Sequence, residues 1–435
     1  MNDSNDILKR LELLHPKKID LSLNRLYVLL EKLNNPHHNL PPVIHIAGTN
    51  GKGSVTSFLR SIFENANLTV NVYTSPHLIR FNERIRLNSK LISTQFLKEL
   101  LIECESANEG KQITFFEITT AAAFLAFSRK KSDILIIETG LGGRFDATNV
   151  IQKPICSVLT PISIDHTNLL GNSIDKITNE KLGILKNEST AVISKQTKKV
   201  NKQILDYSKK KKVKLFQEGK QWRIINNDLE RKTFSMKYLD KIYNFRYPNL
   251  YGEHQIENAA TAIATVLSQN IFELDKMCIS YGLEKTKWPA RMQNLQNGKL
   301  SKFLGNNFEI WLDGGHNIHA SNAVYRVFEN WNEKNIFLIL GMVEGKDPIN
   351  FISKLAKKIK SVTVLPIKNH QYIHPNEIKN NLYEMFNNLF KVYCFTDLKE
   401  ALENIKKTYI GGKVMICGSL YLAGEVLKKD GYKIN

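Results

Sequence analysis

The stretch HIAGTNGKGS, His45 to Ser54, constrains the fold of this chain more than any other feature. It follows the strand-like apolar run VIHIA (43–47) and leads into a helix-like stretch from Val55 to Glu64. Gly48, Gly51 and Gly53 let the backbone turn tightly and aim N–H groups inward, and the following helix N-terminus adds its partial positive charge. Lys52 supplies a mobile cation, and the Ser54 hydroxyl can reach a Mg²⁺ ion. The spacing is not the standard phosphate-loop pattern. Ile46 stands five residues before Gly51, and Gly53 separates Lys52 from Ser54. The order strand, three glycines, lysine, hydroxyl, helix still predicts a phosphate-binding loop rather than an ordinary strand–helix turn.

The rest of the chain supports a sheet around that loop. TVNVYT (69–74), DILIIET (133–139), ICSVLT (155–160) and TAVIS (190–194) are near-continuous apolar runs separated by amphipathic segments. That pattern indicates a parallel sheet covered on both faces. From Gln221 to Tyr247 short alternating segments predict antiparallel hairpins at a sheet edge, followed by a helix from about Glu253 to Ser268. The alternation restarts near residue 292 with FEIWLD (308–313), NIFLIL (335–340), SVTVLP (361–366), KVYCFT (391–396) and KVMICG (413–418). The expected fold class is α/β with two doubly wound domains, an N-terminal P-loop ATPase-like domain and a smaller C-terminal Rossmann-like one. LEKTKWPAR (283–291) is the expected linker, which divides the chain into residues 1–290 and 291–435.

Composition narrows the function classes. The chain carries 61 Lys and Arg against 42 Asp and Glu, a net charge of +19, which raises the possibility of nucleic-acid binding. Only 13 of those cations are Arg, and the longest basic run, Lys209 to Lys212, has no interleaved aromatics. Lys, Asn and Ile share A/T-rich codons, so the excess is read as coding bias with some attraction for anionic ligands. Five scattered cysteines without a C-x-x-C pair fit reduced thiols and argue against a zinc ribbon or a disulfide framework. No apolar run is long enough to span a bilayer, and the polar opening MNDSNDILKRLELLHPKK lacks a signal core. The expectation from composition is a cytoplasmic protein with neither nucleic acid nor membrane as partner.

Further motifs fall at predicted strand ends. In ETGLGGRFDATN (138–149), Glu138 sits where ligands bind in open α/β sheets, and beside a phosphate loop it would face Mg²⁺. SPH (75–77) and SIDHT (163–167) follow two other strands and offer a hydroxyl and an imidazole. His77 by itself reads as a structural or surface residue, whereas His166 is a candidate ligand. DGGHN (313–317) opens the second domain, where Asp313 could accept from a ribose hydroxyl or simply cap a helix. GEHQIENA (252–259) and WPAR (288–291) flank the linker, and Arg291 could reach a phosphate or make a salt bridge.

Taken together, LHPKKIDLSLNR, HIAGTNGKGS, YTSPHLIRFNERIR, TFFEITTAAAF, ETGLGGRFDATNV, SIDHTNLLG, NEKLGILK, GEHQIENA, WPAR, DGGHN and GSLYLAGEVL resemble the dihydrofolate synthase/folylpolyglutamate synthase family of the ATP-dependent Mur ligase superfamily. The resemblance implies ATP as a substrate and two Mg²⁺ ions, with a monovalent cation as a further candidate. It implies an ATP loop at Asn50, Gly51, Lys52, Gly53 and Ser54, and nucleotide contacts from Asn258, Arg291, Asp313 and His316. Metal ligands are implied at Ser54, Ser75, Glu138 and His166. Lys52, His166 and Lys181 are the implied catalytic residues, Lys181 as a carbamylated lysine. The pterin-bearing substrate is implied at Leu14, His15, Pro16 and Lys17, at Thr114, Phe115, Phe116 and Glu117, and at Phe145, Asp146 and Ala147. The implied reaction adds L-glutamate to dihydropteroate and to folate-glutamates, or to the latter alone.

Overall fold

The computed structural model describes residues 4–17, 19–387 and 389–434, so Lys18 of LHPKKIDLSLNR lies outside the described residues. The chain forms two compact units. One comprises residues up to Asn249 together with Ile256–Thr286, and the other Leu250–Gln255 together with Lys287–Ile434.

The first unit is organised by an eight-stranded sheet. In chain order its strands are β1 (Val43–Ala47), β2 (Val70–Tyr73), β3 (Ile85–Leu87), β4 (Lys90–Leu91), β5 (Ile134–Glu138), β6 (Cys156–Leu159), β7 (Thr190–Ile193) and β8 (Lys214–Gln217). They lie side by side as β4-β3-β2-β5-β1-β6-β7-β8, parallel except for the β3–β4 hairpin at one edge. Val, Ile and Leu dominate β1, β2, β5 and β6, and every residue of these four strands is buried. Each such side chain stabilises the fold by about 1.5–3 kcal/mol relative to exposure. The helix Phe115–Arg129 covers one face, and its Thr120 hydroxyl meets the Tyr73 hydroxyl of β2 at 2.9 Å. Chain order places β2 and β5 on one side of β1 and β6, β7 and β8 on the other. The crevice beyond the C-terminal end of β1 is therefore the switch point, where open α/β sheets bind ligands.

The hairpin region departs from expectation. β9 (Trp222–Asp228), β10 (Thr233–Tyr238) and β11 (Lys241–Arg246) form an antiparallel sheet of their own instead of extending the edge of the main one. Alternation within the strands separates a buried set, Trp222, Phe234, Met236, Tyr238 and Phe245, from a polar face. That pattern specifies hairpins but not what they pair with.

The second unit holds a six-stranded sheet of β12 (Gln293–Asn294), β13 (Phe308–Leu312), β14 (Ile336–Leu340), β15 (Ser361–Val364), β16 (Lys391–Cys394) and β17 (Gly412–Cys417). The order is β12-β13-β17-β14-β15-β16, with only β12 antiparallel. Among the described residues no helix is long and apolar enough to cross a membrane.

Candidate active site

The phosphate loop leaves β1 at the switch point. Gly48 has φ 151°, and a Cβ built on it would stand 1.9 Å from the Thr160 hydroxyl oxygen and 2.9 Å from the Thr160 carbonyl. Only glycine lets β1 and the segment after β6 approach this closely. The loop is then tied to that segment. Thr49 N donates to Pro161 O at 2.9 Å, Thr49 Oγ1 to Ser163 O at 3.0 Å, and Ser163 N back to Thr49 Oγ1 at 3.0 Å. Asn50 Nδ2 donates to Ser163 Oγ at 3.3 Å. Lys52 and Gly53 open the helix Lys52–Asn65, and Ser54 in its first turn is buried. Asn258 reaches the loop from the helix Glu253–Ser268. Its side-chain oxygen lies 2.5 Å from the position a Cβ on Gly51 would take.

The other expected ligands come from neighbouring strand ends. Glu138 closes β5, pairs in register with Ile46 of β1, and is 5% exposed. Ser75 stands two residues past β2, which pairs with β5, and precedes a cis peptide bond to Pro76. His166 lies in the segment after β6 with φ 51°, at the start of the helix Thr167–Leu170. Adjacent strands thus carry Ser75, Glu138, the loop with Ser54, and His166 to one sheet edge. Hydroxyl, carboxylate and imidazole donors at a buried carboxylate suit a hard divalent cation.

Two lysines converge on one carbonyl. Lys52 Nζ donates to Gly48 O at 3.1 Å and to Thr49 O at 3.4 Å, and Lys181 Nζ donates to Gly48 O at 3.0 Å. Lys181 lies on the helix Ile174–Leu182, which Ser173 caps by accepting from Lys176 N at 3.3 Å. Two further glycines press this helix against the GLGGRFDATN loop. A Cβ on Gly143 would lie 2.7 Å from Glu180 O, and one on Gly183 would lie 2.4 Å from the Arg144 Cα. Lys181 is only 4% exposed. Burial, reinforced by the nearby positive charge of Lys52, pulls its ammonium down to about 7. Near neutral pH a large fraction of Lys181 is therefore a neutral amine, the form that can attack CO₂. Carbamate formation at Lys181 is expected to rise as pH passes through about 7, where an ordinary lysine stays protonated. Nuclear magnetic resonance with isotopically labelled bicarbonate checks this. No carbamate signal dependent on Lys181 between pH 6 and 8, roughly one unit either side of that value, would count against it.

The expected pterin-binding residues form three groups within the first unit. Thr114 and Glu117 make a reciprocal cap on the helix Phe115–Arg129: Thr114 N and Oγ1 donate to Glu117 Oε2 at 2.8 and 2.7 Å, and Glu117 N donates to Thr114 Oγ1 at 3.3 Å. Phe116 packs so tightly on Gly140 that a Cβ there would lie 2.4 Å from its ring. Phe145 is 42% exposed, while Ala147 is buried. Asp146 is also buried, and its carboxylate serves its own loop. Leu141 N donates to Oδ2 at 2.7 Å, and Thr148 N and Oγ1 donate to Oδ1 at 3.0 and 2.6 Å. Because the Thr148 hydroxyl donates to Asp146, it accepts from His45 Nε2 at 2.8 Å, which assigns the Nε2–H tautomer to His45. Burial holds that imidazole neutral, with its imidazolium form reached only near pH 3. Leu14, His15, Pro16 and Lys17 form the third group, with Lys17 N donating to His15 Nδ1 at 3.1 Å.

Several contributors were not singled out by sequence reasoning. Arg84 donates from Nε to His77 Nδ1 at 3.0 Å and lies over the rings of Phe81 and Phe115 at 5.0 and 6.0 Å. His77 thus has a specific partner, in keeping with its structural reading. Lys186 donates to Asn149 Oδ1 at 2.9 Å and fastens the end of the DATN turn. Arg25 pairs with Glu117 and Asp20. Arg25 and Arg84 lie inside quoted motifs with Asp20 and His77, but their partners Glu117 and Phe115 are distant in the chain and left no local signal.

In the second unit, Asp313 follows β13 and accepts from Met292 N on Oδ2 at 2.8 Å and from Gly315 N on Oδ1 at 2.7 Å. The cap of the next helix, Ile318–Trp331, falls instead to Asn317, which accepts from Ala320 N at 3.0 Å. Arg291 Nη1 donates to Ala290 O at 2.9 Å, and His316 Nδ1 lies 3.1 Å from Gly314 O. Arg291, Asp313 and His316 therefore share one end of that unit's sheet.

Comparison with known proteins agrees with this geometry. Residues 46–266 match the Mur ligase middle domain, and residues 296–429 match the dihydrofolate synthetase C-terminal domain. A dihydrofolate synthase/folylpolyglutamate synthase of Bacillus subtilis is 34% identical over 347 residues, covering 77% of this chain and 78% of that protein. The solved structure of E. coli FolC in complex with DHPP and ADP superposes with TM-score 0.87 at 26% identity, covering 98% of this chain and 97% of that one. A bifunctional folylpolyglutamate synthase/dihydrofolate synthase with Mn, AMPPNP and L-glutamate bound gives TM-score 0.85 at 25% identity, covering 98% of each chain. The matched domains, the curated relative and the strand-end constellation agree: the chain belongs to the dihydrofolate synthase/folylpolyglutamate synthase family of Mur ligases.

Proposed function

We propose that this chain is an ATP-dependent ligase that adds L-glutamate to dihydropteroate, giving dihydrofolate, and to folate-glutamates, extending their tails. The observation that carries this reading is the meeting of Lys52 and Lys181 at the Gly48 carbonyl, at the end of the strand that pairs with the buried Glu138. A carboxylate is a poor acylating agent, because it repels nucleophiles and lacks a leaving group. Transfer of the ATP γ-phosphoryl group makes an acyl phosphate, which the glutamate amine attacks to expel phosphate.

The residues take these roles. Lys52 swings from the loop carbonyls to the transferring phosphoryl group, and the N–H groups of Gly51, Gly53 and Ser54 cradle the phosphates, while Asn50, whose N–H donates to Pro161 O, holds the loop's shape. Ser54, Ser75, Glu138 and His166 would hold a divalent metal, two Mg²⁺ ions in the full proposal. That metal supplies charge neutralisation on the phosphates. Lys181 as a carbamate replaces a cation that repels Lys52 with an anion that attracts it, and His166 stands at the same edge. Asn258, Arg291, Asp313 and His316 are the proposed nucleotide contacts, and a monovalent cation is a further candidate. The acceptor is bound by Leu14, His15, Pro16 and Lys17, by Thr114, Phe115, Phe116 and Glu117, and by Phe145, Asp146 and Ala147. Aromatic faces suit a flat heterocycle, whereas Asp146 acts mainly by holding its loop. The domain division at residue 290, a monomeric state, a cytoplasmic location and small molecules as the partners complete the proposal.

The opening motif LHPKKIDLSLNR favours both reactions over tail extension alone. Purified protein with ATP and glutamate is expected to convert dihydropteroate and to extend tetrahydrofolate. Turnover of tetrahydrofolate without dihydropteroate would restrict the assignment to folylpolyglutamate synthase.

A further inference from the structure

Arg25 lies outside every role assigned above, yet it joins two of the three segments proposed to bind the acceptor. Its guanidinium is a part-buried fork. Nε donates to Glu117 Oε2 at 3.1 Å, Nη1 to Asp20 Oδ2 at 2.8 Å, and Nη2 to Asp20 O at 3.0 Å. Glu117 is almost fully buried, and the same Oε2 also accepts from Thr114 N and Oγ1. On the other side, Asp20 Oδ2 lies 3.7 Å from His15 Nε2. On its other side the His15 ring is held by its own segment, with Nδ1 3.0 Å from Lys17 O and 3.1 Å from Lys17 N. Glu117, Arg25 and Asp20 therefore form one hydrogen-bonded chain from the cap of the Phe115–Arg129 helix to Asp20, with His15 Nε2 in reach of its carboxylate at 3.7 Å.

We propose that Arg25 and Asp20 are positioning residues that pre-set the acceptor site by tying the His15–Lys17 segment to the Thr114–Glu117 turn. Two features carry this beyond an ordinary ion pair. The fork is bidentate toward Asp20 and also engages Glu117, a geometry lysine cannot reproduce. The tied segment has few other anchors: among the described residues between Leu13 and Leu23 none belongs to a helix or strand. An untied segment would have to be ordered by each incoming acceptor, and that ordering cost weakens binding without touching the phosphoryl-transfer groups.

This inference rests on the ligase reading, so its test includes a measurement that does not depend on turnover. The variants are Asp20→Asn and Arg25→Lys. Asp20 is 37% exposed and its loss leaves the Arg25–Glu117 pair in place, so Asp20→Asn is expected to fold like the parent. Both variants should raise KM for dihydropteroate about tenfold, as expected for losing one charged hydrogen bond. The kcat at saturating acceptor and the KM for ATP should stay within about twofold. Hydrogen exchange of the amides between residues 14 and 20 should quicken in both variants while the 115–129 helix stays protected. Unchanged acceptor KM in Asp20→Asn, or a parallel rise in KM for ATP, would overturn the proposal. Unchanged exchange at 14–20 would overturn it even if the parent enzyme failed to use dihydropteroate, a failure that would count against the ligase reading instead.

Discussion

Replacing Lys52 by alanine is expected to lower glutamate-dependent phosphate release by about a thousandfold, as loss of one charge-stabilising donor does in other enzymes. The folded protein should be little changed. Among the described residues Lys52 donates only to the Gly48 and Thr49 carbonyls, and Gly48 O keeps Lys181 as a donor. The loop itself is held by backbone and hydroxyl bonds to Pro161 and Ser163, none of which involves the Lys52 side chain. The informative pattern is loss of kcat with near-parent thermal stability. A variant that keeps full activity would remove Lys52 from phosphoryl transfer.

Gly48→Ala is expected to act oppositely, through structure. The new methyl would have to occupy space 1.9 Å from the Thr160 hydroxyl oxygen and 2.9 Å from the Thr160 carbonyl, at a φ of 151° that residues with a Cβ avoid. Overpacking together with backbone strain should cost about 2–4 kcal/mol. Because β1 and β6 pair alongside this contact, relief requires the loop to move away from the segment that carries His166. Nucleotide binding should therefore fall along with the denaturation midpoint. Adding Thr160→Ala removes the hydroxyl but not the carbonyl, so the double variant should recover only part of the lost stability. Parent-like stability in Gly48→Ala would contradict the close approach of these two segments.

The sequence made the central strands legible because they are buried on both faces, and a run such as DILIIET has few other fates. The phosphate loop was legible for a related reason, since glycine, lysine and hydroxyl are needed together at a strand–helix turn. Pairing partners were not. The hairpins from Trp222 to Arg246 were expected at an edge of the main sheet, but alternation carries no address, and they form a separate sheet. β8, Lys214–Gln217, is short and opens on lysine, so its periodicity is weak. The resemblance pointed to Thr114 and Glu117 but not to Arg25, which lies 92 positions from Glu117 in the chain. The resemblance implies Asp146 as a substrate-binding residue. Only the fold reveals that three donors already occupy its carboxylate.

The measurement that bears most directly on the proposed chemistry follows one oxygen atom. Dihydropteroate carrying heavy oxygen in its carboxylate would be incubated with the purified protein, ATP and L-glutamate. The acyl-phosphate route requires dihydrofolate to form with one labelled oxygen transferred to the released phosphate. Dihydrofolate accompanied by unlabelled phosphate would contradict it.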